Sequence, residues 1–529
     1  MSSLDRRAFL KQSLAFAGAT FAIGVGGRKV LGANDRINVG VAGINGRGGD
    51  HVSAFRGMKD TAVTYLIDVD TRTFTPKMNS IQDGFARELM KQKGVKEIAV
   101  PKDAKGDDKK KLEAERAAQL AEFKKQVEPG RLPKCVQDVR KALDDKELDV
   151  ISIATPNHWH SLMSIWACQA GKDVYVEKPL SHNAFEGRKL VEAARKYQRI
   201  VQHGTQSRAD GKWAKAAALA RSGKLGKLLV SYGWASKPRG PVKKQEPEPV
   251  PANLDYNLWL GPAPERPFSR TFVHYNWHWF WDFGCGEIGN QGVHEMDKAR
   301  WALPEDALAK PITILTMGGR FAWNDPCETP NAHLTVFDYG DYRLIYEACN
   351  LSSTGDEKKG IPKTDLVSNA FVTEQGEITN EGFTPKGGKR EPLPAIEAPM
   401  GAGGNNFENF IKAVHSRKHE DQVADVLEGH RSSLLCHVGN IAYRLGKVVP
   451  FAESRKVFAG NDAAMAALEK MEWRMKSRDV KIDDSLQYCV GPVLTFDQKE
   501  EKFVGERADE ANKLLTRAYR APFVVPNEV

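Results

Sequence analysis

The stretch Arg36 to Gly48, RINVGVAGINGRG, is the feature that most limits how this chain of 529 residues folds. A short apolar run that breaks into glycines predicts a buried parallel strand, a tight turn and then a helix. The turn fits the pattern G-x-G-x-x-G except that asparagine, which tolerates left-handed backbone angles, stands in the middle position. Such a turn at a helix N-terminus binds a pyrophosphate. We therefore predict a dinucleotide site at Gly43, Asn45, Gly46 and Gly48.

The next apolar run supports this prediction. VTYLIDVD reaches Asp68, 25 residues after Gly43, which is near the spacing at which an acid binds the adenosine ribose hydroxyls. Because a carboxylate repels a 2′-phosphate, the sequence favours NAD and makes NADP the weaker choice of cofactor. A solvated aspartate at the end of a strand is the alternative interpretation.

Strand-like and helix-like segments then alternate along the first half of the chain, as in DVISIATP, HSLMSIWACQAG, DVYVEKPL and FEGRKLVEAARKYQ. This alternation predicts an α/β fold with a doubly wound parallel sheet. Ligands bind beyond the carboxyl ends of such strands. The polar residues expected there are Thr155, Pro156, Asn157, His158, Glu177, Lys178 and Gln206. Residues 75–130 interrupt the pattern. The charged stretch KDAKGDDKKKLEAERAAQLAEFKKQVEPG within them has Leu112, Leu120, Phe123 and Val127 at roughly helical spacing, so it reads as a surface helix without a chemical role.

Later segments such as ITILTMGGRFAW and AHLTVFDY indicate a second α/β domain with an open, mostly antiparallel sheet. We therefore divide the chain into an N-terminal export signal at 1–33, a nucleotide-binding Rossmann domain at 34–205, a substrate and oligomerisation domain at 206–450, and a C-terminal extension at 451–529. The last residues, YRAPFVVPNEV, are expected to lie extended along a partner surface.

The N-terminus carries much of the positive charge. The formal net charge is +9, and residues 1–33 contribute +4 of it, which leaves +5 on the rest of the chain. That balance is too mild for a nucleic-acid-binding protein. The paired arginines Arg6 and Arg7 precede an apolar run of 13 residues, too short to span a bilayer. This arrangement resembles a twin-arginine signal, so we expect export to the periplasm or beyond by the twin-arginine machinery and no stable membrane anchor.

Seven cysteines without a C-x-x-C pair argue against a disulfide framework and a zinc site, so no metal is predicted.

Five motifs occur in a fixed order: AGxNxRG, IDVD, ATPNHWH, VEKPLS and GxxGxHxxDxxRW. Together they resemble the Gfo/Idh/MocA oxidoreductase family over about residues 36–447. The resemblance implies a Rossmann domain that binds NAD and a second domain that carries substrate residues and often an oligomer interface, so a homo-oligomer is expected. It also implies that Glu177 binds the nicotinamide ribose, that Thr155 to His158 border the nicotinamide, and that Lys178 and His294 are catalytic.

One position departs from the family pattern. Asn290 stands four residues before His294, where sugar dehydrogenases of this family commonly have an aspartate. An amide donates and accepts hydrogen bonds but stores no charge. Glu287, about one helical turn earlier, is a candidate replacement for the missing charge.

The segment HYNWHWFWDFGCG, His274 to Gly286, is rich in aromatic residues just ahead of this histidine. Trp277 and Trp281 are candidates to stack on a sugar, and His278 to donate a hydrogen bond to it. A packed core or a subunit interface is the equally weighted alternative.

Three functions remain open from the sequence. The first is NAD(P)-dependent oxidation or reduction of a sugar, cyclitol or sugar derivative, with tightly bound NAD recycled in place. The second is a redox-neutral, NAD-dependent glycoside hydrolase, lyase or epimerase. The third is a non-catalytic periplasmic carbohydrate-binding protein.

Overall fold

The structure is a computed structural model that describes residues 36–351, 367–397 and 405–529. The predicted export signal at 1–33 lies outside the described residues. The first sheet has six parallel strands in the order β3-β2-β1-β4-β5-β6, which is a doubly wound arrangement. Its strands are β1 Ile37–Ala42, β2 Thr61–Ile67, β3 Lys134–Val136, β4 Val150–Ile153, β5 Asp173–Val176 and β6 Val201–His203. The predicted parallel sheet is confirmed.

Helices connect these strands: α1 Gly48–Gly57, α2 Phe74–Gln92, α3 Gly106–Lys124, α4 Val139–Leu143, α5 Asn157–Gln169 and α6 Ala184–Lys196. β4 is buried along its whole length, as its apolar sequence VISI predicts. The side chain of Asn183 accepts a hydrogen bond from the Glu186 N–H and so begins α6.

The charged stretch within 75–130 forms a surface helix, α3, as predicted, and only Leu120 of that helix is buried. A second long helix, α2, precedes it, and the two helices pack on each other through a small apolar cluster of Ala86, Met90, Leu120 and Phe123.

The second sheet has eleven strands in the described residues. They are β7 Leu228–Ala235, β8 Ile312–Gly319, β9 Ala332–Asp338, β10 Arg343–Cys349, β11 Val367–Thr373, β12 Gly376–Thr379, β13 Gly382–Pro385, β14 Lys447–Pro450, β15 Gln487–Val490, β16 Leu494–Asp497 and β17 Lys502–Val504. The main path is β13-β12-β11-β7-β10-β9-β8-β15-β14, and β16 pairs with β8 and β17. β7 and β10 run parallel, while the other described pairs are antiparallel, as expected.

The remaining helices are α7 Gly211–Ser222, α8 Tyr256–Leu260, α9 Gly286–Asn290, α10 Gly292–Trp301, α11 Asn406–Ser416, α12 Val426–Arg444, α13 Phe451–Ser454, α14 Asp462–Lys476 and α15 Ala508–Lys513. α10 and α12 contribute Met296 and Val438 to the core on one face of the second sheet. α14 contributes Leu468 and Met471 to a second core that includes Leu334 of β9. No helix among the described ranges is both long and apolar enough to cross a membrane.

The residues predicted as a C-terminal extension are part of the domain structure. β15 pairs with β8 and widens the second sheet. The expectation that the last residues lie along a partner surface is wrong, because Phe523 and Val525 are buried in the core of the chain's own first domain.

Candidate functional site

A cavity of about 380 Å³ opens at the carboxyl ends of β1, β2, β4 and β5 and extends to loops of the second domain. Twelve of the residues predicted from the sequence line it: Gly43, Asn45, Gly46, Asp68, Thr155, Pro156, Asn157, Glu177, Lys178, Trp277, His278 and Asn290. Five predicted residues do not line it: Gly48, His158, Gln206, Trp281 and His294.

The glycines of the turn differ in the space that a side chain would meet at each position. Gly43 has a φ of +79°, and a Cβ there would lie 2.6 Å from the Ala154 carbonyl oxygen. A Cβ at Gly48 would lie 2.2 Å from the carbonyl oxygen of Gly43. Gly46 has nothing within 4 Å of such an atom and faces the cavity. Gly43 and Gly48 therefore shape the turn, while Gly46 leaves room for a ligand at the N-terminus of α1.

Asp68 follows β2 at the edge of this turn. One carboxylate oxygen accepts a hydrogen bond from the Ile44 N–H at 3.0 Å, and the other accepts one from the Asp70 N–H at 3.0 Å. Burial outweighs these bonds and raises the pKa of Asp68 to about 6. The carboxylate therefore braces the glycine turn while it lines the cavity.

Glu177 is the centre of a buried ionic cluster. Its Oε1 accepts hydrogen bonds from Arg47 Nε at 2.8 Å and from His51 Nε2 at 3.2 Å. The second ring nitrogen of His51 lies 2.8 Å from Ser152 Oγ. Burial opposes ionisation, but the hydrogen bond and charge of His51, with Lys178 and Arg47, hold the pKa of Glu177 well below 4.5.

Sequence reasoning did not identify Arg47 and His51, although both follow directly from the glycine turn. One signal could have identified them: a buried glutamate at the end of β5 requires a partner of opposite charge.

Lys178 follows Glu177 and is joined to Pro179 by a cis peptide bond. Its ammonium donates to the Asn290 carbonyl oxygen at 3.1 Å and to Asn290 Oδ1 at 3.2 Å. Burial lowers the pKa of Lys178, and the negative charges of Glu177 and Glu287 partly oppose that shift. The buried ammonium is therefore easier to deprotonate than an exposed one.

Glu287 does lie beside Asn290, as the sequence suggested. Asn290 Nδ2 donates to Glu287 Oε2 at 3.4 Å, and Arg239 donates to Glu287 Oε1 at 3.3 Å. Position 290 itself carries no carboxylate. Glu287 supplies one next to Asn290 instead, and it pairs with Arg239.

His294 lies on α10 and is half-buried. Burial, with Lys178 as the next cause, lowers the pKa of His294 to about 3. In the described part of the chain no side-chain hydrogen bond reaches its ring. The imidazole is therefore neutral near pH 7 and keeps one unprotonated ring nitrogen.

A second imidazole, His278, lines the cavity. Its ring stacks on Trp277 with centroids 3.6 Å apart, and Nδ1–H donates to the Tyr275 carbonyl oxygen at 2.7 Å. Burial lowers the pKa of His278 to about 3, so Nε2 keeps its lone pair near neutral pH. We predicted a donor at this position, whereas the tautomer fixed by Tyr275 makes Nε2 an acceptor.

Three predicted residues have other partners. His158 donates from Nε2 to the Trp259 carbonyl oxygen at 2.9 Å. Gln206 hydrogen-bonds the hydroxyl of Tyr175. The Trp281 ring lies under the guanidinium of Arg444, 5.3 Å from its centre. The expectation that His158 borders a ligand is therefore wrong, and His160, two residues later on the same helix, lines the cavity instead.

These residues fit a dinucleotide. Gly46 leaves open space at the N-terminus of α1, where unpaired N–H groups favour a phosphate. Thr155 Oγ1 and Asn157 Oδ1 line the same cavity and are buried without a hydrogen-bond partner in the described residues. Buried polar atoms normally have partners, so these two are suited to a polar ligand. No cluster of potential metal ligands occurs in the described residues, and no disulfide bond joins the seven cysteines, all of which the structure describes.

Family models match two regions of the chain. Residues 107–205 match the oxidoreductase family model of the NAD-binding Rossmann fold, and residues 227–320 match its C-terminal alpha/beta domain. Both matched regions are domains of the Gfo/Idh/MocA oxidoreductase family, in the order expected from the sequence motifs.

Curated relatives are similar over short regions. Levoglucosan dehydrogenase of Pseudarthrobacter phenanthrenivorans is 30% identical over 173 residues, which is 32% of this chain and 36% of that protein. Inositol 2-dehydrogenase of Salmonella typhimurium is 31% identical over 97 residues, 18% of this chain and 29% of that one. The chain thus spans only about a third of the length of these relatives.

Solved structures are similar at low identity. WlbA dehydrogenase from Chromobacterium violaceum has a TM-score of 0.49 at 12% identity and covers 77% of this chain and 93% of its own. Aldose-aldose oxidoreductase from Caulobacter crescentus has a TM-score of 0.48 at 13% identity and covers 77% and 98%.

Proposed function

We propose that the protein is an NAD-dependent oxidoreductase that oxidises or reduces a hydroxyl-bearing carbon of a sugar, cyclitol or sugar derivative. The observation that carries this proposal is the position of Lys178. Its ammonium lies at the carboxyl edge of the parallel sheet, in the same cavity as the glycine turn, and is held by Asn290 of the second domain. The names of the curated relatives, which are sugar and cyclitol dehydrogenases, support the same substrate class.

The residues of the first domain would bind the cofactor. Gly46 and the N-terminus of α1 would take the pyrophosphate, Asp68 the adenosine ribose, and Glu177 the nicotinamide ribose. The nicotinamide, when bound, accepts the hydride or returns it. His51, with Lys178 and Arg47, holds the pKa of Glu177 well below 4.5, so that carboxylate can accept hydrogen bonds from ribose hydroxyls.

The residues between the domains would handle the proton. Lys178 would donate a hydrogen bond to the substrate oxygen and stabilise it as an alkoxide while the hydride leaves carbon. His294 does not line the cavity, so the catalytic role that the family resemblance implies for it would be exercised by way of Lys178, which does. His278 would accept a hydrogen bond from another hydroxyl through Nε2, and Trp277 would cover an apolar face of the ring.

The first experiment measures the nucleotide released when the purified protein is denatured. NAD in near-equal amount with the protein supports the proposal and the idea that NAD is recycled in place. Such recycling would suit the export expected from the N-terminal sequence, since free NAD is scarce outside the cytoplasm. A protein that is empty and also fails to bind added NAD would contradict both enzyme interpretations and favour the carbohydrate-binding one.

The second experiment uses Lys178→Met, which removes the ammonium but keeps an unbranched side chain. We expect sugar-dependent reduction of bound NAD to fall at least about 100-fold, because one group that stabilises developing charge is typically worth that much. NAD binding should change far less. Lys215→Met is the matched control, since Lys215 is half-buried and donates to the Leu393 carbonyl outside the cavity. Equal turnover in both variants would exclude Lys178 from the chemistry.

A further inference from the structure

One wall of the cavity is a single helical turn of the second domain. α8 contributes Leu258 and Trp259 to the lining of the same cavity that the glycine turn of the first domain lines. The helix ends at Gly261, where a Cβ would lie 2.3 Å from the ring of Trp159. We call residues 256–261 the roof of the cavity.

A helix of one turn cannot satisfy its own last carbonyl groups, so the roof depends on outside donors. Two come from α5. Trp159 Nε1 donates to the Leu258 carbonyl oxygen at 2.9 Å, and His158 Nε2 donates to the Trp259 carbonyl oxygen at 2.9 Å. These bonds explain why His158 is buried behind the cavity instead of lining it.

The other donor is Arg520 in the C-terminal tail, almost at the end of the chain. Its Nε donates to the Gly261 carbonyl oxygen at 3.1 Å, and its terminal nitrogens donate to the carbonyl oxygen and Oδ1 of Asn257 at 2.7 and 2.5 Å. One guanidinium therefore binds both ends of the roof. Only arginine presents enough donors in a fixed plane for such a contact.

The tail is held in place by Phe523, three residues further on. This ring is 2% exposed, packs 5.5 Å from Trp159 and lies 5.0 Å from the Arg520 guanidinium. Trp159 is thus in contact with the roof on one side and with the tail on the other. Arg520 and Phe523 fix the roof from outside, and neither lines the cavity.

The residues just before the roof are bound to the first domain. The N–H of Asp255 donates to the Val69 carbonyl oxygen at 3.0 Å, and Asn253 Nδ2 donates to Asp70 Oδ1 at 2.7 Å. Both contacts lie directly after Asp68, at the ribose end of the cavity. The roof therefore forms one wall of the cavity in which a dinucleotide on the glycine turn would lie.

We propose that Arg520 and Phe523 are positioning residues that hold the roof closed over bound NAD and slow its release. This inference rests on the proposed function, because it takes NAD as the ligand. It also gives the C-terminal tail a role within its own chain.

The test compares dissociation of NAD from the wild type and from Arg520→Ala. Each protein is loaded with NAD, and release is followed after addition of excess ADP-ribose as the competitor. We expect the dissociation rate of Arg520→Ala to rise at least about 10-fold, because hydrogen bonds from a charged group are lost. The association rate should change less, since tighter binding usually reflects slower release. Arg507→Ala is the matched control, because Arg507 pairs with Glu510 away from the roof.

Two further variants separate this role from general destabilisation. Arg520→Lys keeps the positive charge but loses the planar guanidinium that donates to both Asn257 and Gly261. It should therefore release NAD faster than the wild type at an unchanged melting temperature. Phe523→Leu should also speed release, whereas Arg507→Ala should not. Equal release rates in the wild type, Arg520→Ala and Phe523→Leu would overturn the proposal.

Failure of the proposed function would look different, because the wild type would then bind no NAD. In that case, hydrogen exchange of the ligand-free protein tests whether Arg520 holds the roof in place. Arg520→Ala should raise exchange at the backbone amides of residues 256–261 and leave those of the first sheet unchanged. Unchanged exchange in the roof would overturn the inference whatever the ligand is.

Discussion

The ammonium of Lys178 is held by two oxygens of a single residue, Asn290, at 3.1 and 3.2 Å. The contact joins the end of β5 in the first domain to the end of α9 in the second. Because the side chain of Asn290 is neutral, burial dominates and the pKa of Lys178 lies below its usual value. The amide therefore makes the lysine easier to deprotonate than an aspartate would.

Asn290→Asp should reverse that effect. A carboxylate next to the ammonium favours its charged form, so the pKa of Lys178 should rise by about one unit or more. The pH dependence of Lys178 modification by an amine-reactive reagent, read by peptide mass spectrometry, measures this directly. Asn276→Asp is the control, since Asn276 binds the Thr271 carbonyl instead. A pKa that stayed the same or fell in Asn290→Asp would contradict the role given to the amide.

Glu177→Gln tests the buried cluster of Arg47, His51 and Glu177. The pKa of Glu177 is well below 4.5 in the folded protein, so its carboxylate stabilises the fold above about pH 4.5. That stabilisation is lost as the pH falls through the lower folded value. Breaking such a buried pair costs about 3 kcal/mol at pH 7, and the cost should shrink as the medium is acidified. Urea unfolding from pH 7 to pH 3.5 measures the trend, with the surface substitution Glu88→Gln as control. A loss that did not vary with pH would count against an ionised Glu177.

Asp68 should make the choice between NAD and NADP depend on pH. Its pKa is about 6, so the carboxylate is largely neutral at pH 5 and ionised at pH 8. Only the ionised form repels a 2′-phosphate, and the preference for NAD should therefore increase about 10-fold over this range, since nearby like charges are worth at least 1–2 kcal/mol. Dissociation constants for both dinucleotides at pH 5 and pH 8 test this. Asp68→Asn should lose most of the dependence, whereas the exposed control Asp144→Asn should retain it.

Much of the first domain follows from the sequence because the signals are local. The run INVGVA and the glycines after it define β1, the turn and α1 without help from the rest of the chain. Lys178 and Asn290, which are 112 residues apart, could be brought together only through the family resemblance. Composition and spacing alone do not bring them together.

What the sequence did not reveal depends on contacts between distant segments. The helical spacing of α3 can be read from its sequence, but its packing on α2 cannot. His158 and His160 are indistinguishable in the string NHWH, and only the fold directs the first towards Trp259 and the second to the cavity lining. The prediction for the C-terminal tail is wrong because an apolar, extended segment has the same sequence pattern whether it binds a partner or packs on the chain's own core.

His278 and His294 should both remain neutral from pH 5 to pH 8. Burial, together with the charge of the nearby Lys178 ammonium, lowers the pKa of each to about 3. Nitrogen NMR of the imidazole rings measures this without a substrate. We expect the proton of His278 on Nδ1, bound to the Tyr275 carbonyl, and a free lone pair on Nε2. The exposed His419 serves as an internal reference. A midpoint above pH 5 for His278 would rule out the acceptor role proposed for it.

Arg474→Met tests whether the C-terminal residues are part of the fold. Arg474 lies on α14 and pairs with Glu347, which is fully buried on β10 and also accepts a hydrogen bond from Tyr232. Removing the arginine leaves a buried carboxylate without its cation, which costs about 3–5 kcal/mol. The urea midpoint of the second domain should fall, and adding Glu347→Gln should restore part of the loss because the two residues act as a pair. Lys470→Met, on the same helix with its ammonium over the Tyr232 ring, is the control. If residues 451–529 were a separate extension, Arg474→Met would unfold that region alone and leave the sheet transition unchanged.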